Sequence, residues 1–247
     1  MSSLYRRKLL LTALLIACGA ALSLAMGLAQ PICAAPSDES AAKPKSGPER
    51  FESEIAAFEA WDQKNSIPQN SILFVGSSTV RLWQSADAFP GLPVINRGFG
   101  GSTIADVNHY ADRIVFKYRP RVIVFYSGDN DIAGGRSPDD VFNAFRVFAS
   151  RVQERLPETR LIFLSVKPSI ARWKMWPKMQ DVNARVKELA SENKQLMYVD
   201  TAPTLLGDDG EPQKDLFRDD GLHMSEKGYA AWNKLLSPTL NDSSAPR

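Results

Sequence analysis

The feature that most constrains this chain is an alternation of five short, almost wholly apolar runs with stretches of helical period. The runs fall at residues 72–75, 94–96, 122–126, 161–165 and 197–199, and each is too short for a buried helix. Helical patterns occupy residues 49–64, 104–117, 138–155, 178–193 and 225–236. The third has the clearest start, with Ser137 placed as N-cap, Pro138 at the first helical position, and Asp139 and Asp140 in the first turn. A strand that is apolar on both faces must be covered on both. The alternation therefore predicts an α/β fold with a five-stranded parallel sheet between two layers of helices. In such sheets working residues gather at the carboxyl ends of the strands.

The amino terminus reads as a leader. Arg6, Arg7 and Lys8 precede an apolar, uncharged stretch over residues 9–28, and Ala34-Ala35 offers small residues for cleavage ahead of a polar segment. The expected organisation is an export signal or N-terminal anchor over 1–35, a linker over 36–48, one folded domain over 49–236 and a flexible tail over 237–247. Export to a periplasmic or secreted location is expected. Three modes stay open: cleavage, retention as an uncleaved anchor long enough to cross ~30 Å of hydrocarbon, and lipidation at Cys18 of Leu15-Ile16-Ala17-Cys18. Both cysteines, Cys18 and Cys33, lie in this leader, which leaves the domain no disulfide or thiolate chemistry. Without the three basic residues of the leader, 27 Lys and Arg face 28 acids, so the domain makes no electrostatic case for a nucleic-acid partner. Membrane association is expected only through the leader.

Proton-transfer chemistry has few places to live, because the chain has two histidines. His223 follows Asp220 by three residues, a spacing that lets the carboxylate orient the imidazole and stabilise its protonated form. His109 shares a helical pattern with Ile104, Val107, Ile114 and Val115, and a structural or solvent-facing role is expected for it. A nucleophile is offered upstream, where the first apolar run ends in Gly76-Ser77-Ser78-Thr79. Gly98 to Thr103 begins like a dinucleotide fingerprint, but Thr103 stands where the last small residue should be and the segment follows the second strand. With no zinc-type His/Glu pair either, neither cofactor nor metal is expected.

Taken together, Gly76-Ser77-Ser78, Gly101-Ser102, Gly128-Asp129-Asn130-Asp131 and Asp220-Gly221-Leu222-His223 resemble the four blocks of the SGNH (GDSL) hydrolases over residues 70–236. The resemblance implies a three-layer α/β/α, flavodoxin-like fold and cofactor-free ester hydrolysis. It implies Ser78 as nucleophile, Asp220 and His223 as its partners, and an oxyanion hole from the backbone N–H groups of Ser78 and Gly101 and the Asn130 amide. Two positions depart from the pattern: Ser77 replaces the usual Asp, and Ser102 stands where many relatives have Asp. The resemblance leaves the substrate open; an export leader, a compact domain and two Trp, Trp173 and Trp176, after the fourth strand point to small-molecule or glycan esters with short acyl groups, acetyl foremost. Lysophospholipase- or thioesterase-type lipid hydrolysis and a noncatalytic glycan- or lipid-binding module on the same scaffold are the alternatives.

Local readings compete with these roles. Ser77 or Ser78 could serve only as a helix cap, Asp219 rivals Asp220, and Asn130 sits in good turn chemistry. Residues 167–176 follow the fourth strand and are expected to overhang the same rim. There Arg172 could hold a polar substrate group, while Trp173 and Trp176 could stack on a sugar or line an acyl pocket, with helix packing as the simpler fate of both Trp.

Overall fold

A computed structural model of the protein describes residues 47–241. The leader and most of the linker lie outside the described residues. A 3₁₀ turn, Pro48–Phe51, leads into α1 (Glu52–Asp62) and β1 (Ile72–Gly76). Two single-turn helices, α2 (Ser78–Arg81) and α3 (Ser85–Ala88), precede β2 (Val94–Gly98) and α4 (Ile104–Ile114). Then come β3 (Val122–Tyr126), α5 (Asp129–Ala133), α6 (Pro138–Arg155) and β4 (Arg160–Leu164). The chain finishes with α7 (Trp176–Glu192), β5 (Leu196–Val199) and α8 (Glu226–Asn241).

All strand pairs are parallel, in the order β2-β1-β3-β4-β5. Strand order reverses beside β1, between it and β3, the switch point at whose carboxyl side such sheets bind their ligands. Side chains alternate between two cores, as a strand's period of two requires. Leu73, Val75, Ile123, Phe125 and Phe163 pack with Ile55 of α1, Val107 of α4, Phe145 and Phe148 of α6, and Val182 of α7. Ile72, Phe74, Val124 and Ile162 pack on the opposite face with Val80, Trp83, Phe89, Trp232 and Leu236. Phe125 is fully buried, 4.7 Å from the Phe148 ring centroid and 5.3 Å from that of Phe145. Burial of a side chain of this size contributes about 2–3 kcal/mol.

The second layer also positions the start of α2. Tyr229 of α8 donates to the Thr79 carbonyl at 2.8 Å, and Trp83 Nε1 donates to Asn233 Oδ1 at 2.8 Å. The helix that follows the Asp220–His223 loop is thereby bolted to the turn that carries Ser78.

The element boundaries differ from expectation in informative places. The flexible tail expected from residue 237 is instead helical as far as Asn241, because Leu240 completes the second core. Arg160 and Arg121 donate to the carbonyls of Thr239 and Leu240 and satisfy the helix end, despite Pro238 inside it. The first expected helix is a 3₁₀ turn followed by α1, and the second stops at Ile114 before a separate 3₁₀ turn, Phe116–Tyr118. Helix α7 starts two residues early, at Trp176, with Pro177 in its first turn, where a missing N–H costs nothing. Helices α2, α3 and α5 are too short to leave a periodic signature.

Candidate active site

The end of β1 delivers the nucleophile candidate. Gly76 has φ 143°, and a Cβ there would lie 1.8 Å from the Tyr126 carbonyl oxygen of β3, so only glycine lets the strand end this tightly. Ser77 continues in extended conformation, its N–H bonded to Tyr126 O at 3.0 Å, and its hydroxyl is buried with no hydrogen-bond partner. Ser78 begins α2 and points the other way.

His223 Nε2 lies 3.0 Å from Ser78 Oγ, across 145 positions of sequence, and His223 Nδ1 lies 2.6 Å from Asp220 Oδ2. Asp220 Oδ1 accepts from the backbone N–H groups of Leu222 and His223, both at 2.9 Å. Desolvation acts to raise the Asp220 pKa, but these two N–H groups and the His223 ring outweigh it and hold the carboxyl at about 2. Asp219 makes no such bonds and lines a neighbouring cavity. His109 is exposed on α4 with its ring edge-on to Tyr110 at 4.6 Å.

The loop after β2 carries Gly101 and contacts Asn130, two of the expected donors. Gly101 has φ 70°, and a Cβ there would meet nothing within 4 Å, so its requirement is conformational rather than steric. Ser102 is buried, and its hydroxyl donates to the carbonyls of Phe99 at 3.1 Å and Gly76 at 3.3 Å, tying the loop to the end of β1. Asn130 Nδ2 donates to Ser102 O at 3.0 Å, leaving its second N–H for a ligand. Glu54 of α1 accepts from the Gly100 N–H at 3.2 Å and lies 3.6 Å from Arg81. Sequence alone gave no signal for this brace, since Glu54 reads as an ordinary exposed position on an amphipathic helix.

Beneath the rim lies a charged group that sequence reasoning missed as a unit. Lys167 is buried, with Nζ 2.9 Å from Leu222 O and 3.8 Å from Asp129 Oδ2; burial pushes its pKa down, against the attraction of Asp129. Arg172 Nη1 stands 2.9 Å from Asp129 Oδ2, an ion-pair separation without hydrogen-bond alignment. Its Nη2 donates to Asn130 Oδ1 at 2.9 Å. Arg172, considered for a substrate contact, is thus engaged by two protein side chains. Trp173 lines a cavity of about 510 Å³ with Ile170, Phe217, Asp219 and Gly221, and Trp176 stacks on Trp173 at 6.2 Å and packs against the first core. Among the described residues no group of His, Cys, Asp or Glu is arranged to hold a metal ion.

Asp131 faces inward and accepts from the Ile104 N–H at 3.1 Å. Burial raises its pKa to about 6, against that hydrogen bond and with help from Asp129 and Asp106. A carboxyl whose folded pKa lies above its unfolded value contributes stability below about pH 4, and that contribution is lost as pH rises through about 6. Asp131→Asn, which keeps an acceptor for Ile104, is expected to gain stability relative to the parent over this window, on the order of 2 kcal/mol by pH 8. Melting temperatures of both proteins from pH 4 to 8 check this; a constant difference would refute it.

The Ser78 hydroxyl, the His223 imidazole and the Asp220 carboxylate stand in line, an arrangement that supplies the groups nucleophilic acyl transfer requires. The sequence profile of the GDSL-like Lipase/Acylhydrolase family matches residues 74–231. The chain belongs to that family and is an ester-hydrolysing enzyme. Solved structures show the same fold. A protein from Streptococcus pneumonia, described provisionally as a platelet activating factor, superposes with TM-score 0.70 at 24% identity, covering 78% of this chain and 94% of that one. A GDSL-like lipase from Bacteroides thetaiotaomicron gives TM-score 0.63 at 23% identity, covering 78% and 97%. A catalytic mutant of an acetylxylan esterase from Geobacillus stearothermophilus gives 0.58 at 16%, covering 70% and 94%. No curated protein matches the chain.

Proposed function

We propose that this enzyme hydrolyses short acyl esters, acetyl foremost, borne on a carbohydrate alcohol, and that it works outside the cytoplasm. The observation that carries the catalytic part is the unbroken line Ser78 Oγ, His223, Asp220, with separations of 3.0 and 2.6 Å. His223 Nε2 takes the Ser78 proton as Oγ attacks the ester carbonyl, while Asp220 holds the proton on Nδ1 and stabilises the imidazolium. The oxyanion is met by the N–H groups of Ser78 and Gly101 and the free N–H of Asn130. His223 then protonates the departing alcohol, leaving an acyl-Ser78 ester. In the second half His223 draws a proton from water, the hydroxide attacks the acyl carbon, and the acid leaves as Ser78 recovers its proton.

The substrate class rests on the cavity beside the Asp220 loop. Ile170, Trp173, Pro212 and Phe217 give it apolar faces, and Glu211, Lys214, Arg218 and Asp219 supply polar groups, a mixed lining suited to a sugar ring. That an acetylxylan esterase shares the fold supports this reading. The leader pattern around Arg6, Arg7 and the apolar stretch supports the location. Among the described residues no helix is long and apolar enough to cross a membrane.

Esters of one alcohol with acetyl, butyryl, octanoyl and palmitoyl groups test the acyl preference. Here kcat/KM should fall with length, because a sugar ring seated on the apolar faces of the cavity leaves a long acyl chain no wall on which to recover the ~0.8 kcal/mol available per buried methylene. Rising values through palmitoyl would establish lipid ester hydrolysis instead. Trp173→Ala should raise KM for an acetylated oligosaccharide roughly three- to ten-fold, the worth of one stacking contact, and leave p-nitrophenyl acetate nearly unchanged. Unchanged glycan kinetics would remove Trp173 from the site.

A further inference from the structure

Asn130 can act as an oxyanion donor only if its amide is held with nitrogen towards the substrate. The backbone does not impose that choice, because rotation by half a turn about the last side-chain bond exchanges oxygen and nitrogen at nearly the same positions. Two contacts impose it here. Nδ2 faces the carbonyl oxygen of Ser102 at 3.0 Å, and Oδ1 faces the guanidinium of Arg172 at 2.9 Å. A flipped amide would set NH₂ against the guanidinium and oxygen against oxygen.

We propose that Arg172 is a positioning residue: held by Asp129, it locks and polarises the Asn130 amide, and so sets the strength of the oxyanion hole. This rests on the reading of Asn130 as an oxyanion donor. A cationic donor on Oδ1 draws electron density from the amide and makes the remaining N–H a stronger donor. Arg172 is itself fixed, since its side chain is only 16% exposed and Nη1 lies against Asp129, the residue next to Asn130. Its fork therefore engages neighbouring side chains on one turn, which a lysine's single ammonium could not reproduce.

Lys167 completes the arrangement from the other end of the same segment. Its ammonium meets Leu222 O, between Asp220 and His223, and faces the Asp129 carboxylate that Arg172 also contacts. The backbone reinforces the link, because Ala171 N donates to Gly221 O at 3.0 Å. Residues 167–172 thus tie the half of the site that moves the proton to the half that holds the oxyanion. The charges favour folding of a variant at Arg172. Asp129 sits between two cations, and without Arg172 it still faces Lys167 as a balanced pair.

The test is a double-mutant cycle on the full chain, with p-nitrophenyl acetate and a second acetate ester of an aliphatic alcohol as probes. Asn130→Ala should lower kcat by roughly 10²- to 10³-fold. Arg172→Gln and Arg172→Lys should each lower kcat about 10- to 100-fold with KM changed less than about two-fold, equally for both esters. In the Asn130→Ala background neither substitution should lower kcat further, because Arg172 would have nothing left to orient. Arg172→Lys, which keeps a cation beside Asp129, serves if the glutamine variant does not fold. Multiplicative losses in the Asn130→Ala background would overturn the proposal, as would an unchanged kcat in either single variant. A raised KM that depends on the alcohol would make Arg172 a substrate contact. If Asn130→Ala itself leaves kcat intact, the oxyanion reading of Asn130 fails first, and that result is distinct from the others.

Discussion

Ser78→Ala is expected to abolish ester hydrolysis by at least about 10⁴-fold, whereas Ser77→Ala should keep activity within about three-fold of the parent. The two residues are adjacent and chemically identical, yet they face opposite ways. Ser77 turns its hydroxyl into the core, where it finds no partner, while Ser78 Oγ stands 3.0 Å from His223 Nε2. Removing an unpaired buried hydroxyl costs little and relieves its desolvation, so Ser77→Ala should melt at or above the parent temperature. Steady-state rates on p-nitrophenyl acetate, with labelling by a fluorophosphonate, decide between them. An active, labelled Ser78→Ala enzyme together with a dead Ser77→Ala one would move the nucleophile by one residue and overturn the triad. Labelling of the parent at neither serine would place the nucleophile elsewhere in the chain.

Asp220→Asn should lower kcat by roughly 10⁴-fold while the protein stays folded. The reason lies in which atom does what. Oδ1 accepts from two backbone N–H groups, a task an asparagine oxygen performs equally well, so the loop should keep its shape. Oδ2 faces His223 Nδ1 at 2.6 Å, and an NH₂ in its place would favour the tautomer that carries its proton on Nε2, the nitrogen that must accept from Ser78. Asp219→Asn is the control, since Asp219 lines the cavity and lies outside this chain of bonds. Comparable losses in both variants would mean that the effect comes from the loop's charge rather than from orientation of the imidazole.

Much of the site was legible because its parts are local. A glycine where a strand must end against its neighbour, an Asp three residues from a His, and a Gly-Asp-Asn-Asp turn each show in a short window, and their order along the chain made the four blocks specific. The long helix α6 was readable to the residue, because Ser137 accepts from Asp140 N and Asp140 accepts from Ser137 N, a reciprocal cap written in four positions. The tail was misjudged for the opposite reason. Its helix has a proline inside and polar residues at the end, and what holds it is burial of Leu240 with caps from Arg121 and Arg160, residues distant in sequence.

By itself the sequence determined the parallel sheet, the helices on both of its faces and the four segments delivered to one rim, because apolar periodicity and turn chemistry act over a few neighbouring residues. Tertiary structure alone decided which serine faces the histidine, that Trp176 packs inward while Trp173 lines a cavity, and that Arg172 grips Asn130. Those outcomes depend on the direction a side chain takes when elements 42 to 145 positions apart meet, as the Arg172–Asn130 and His223–Ser78 contacts do. A direction of that kind is set by packing and by which buried polar group lacks a partner, and neither quantity exists until the chain has folded.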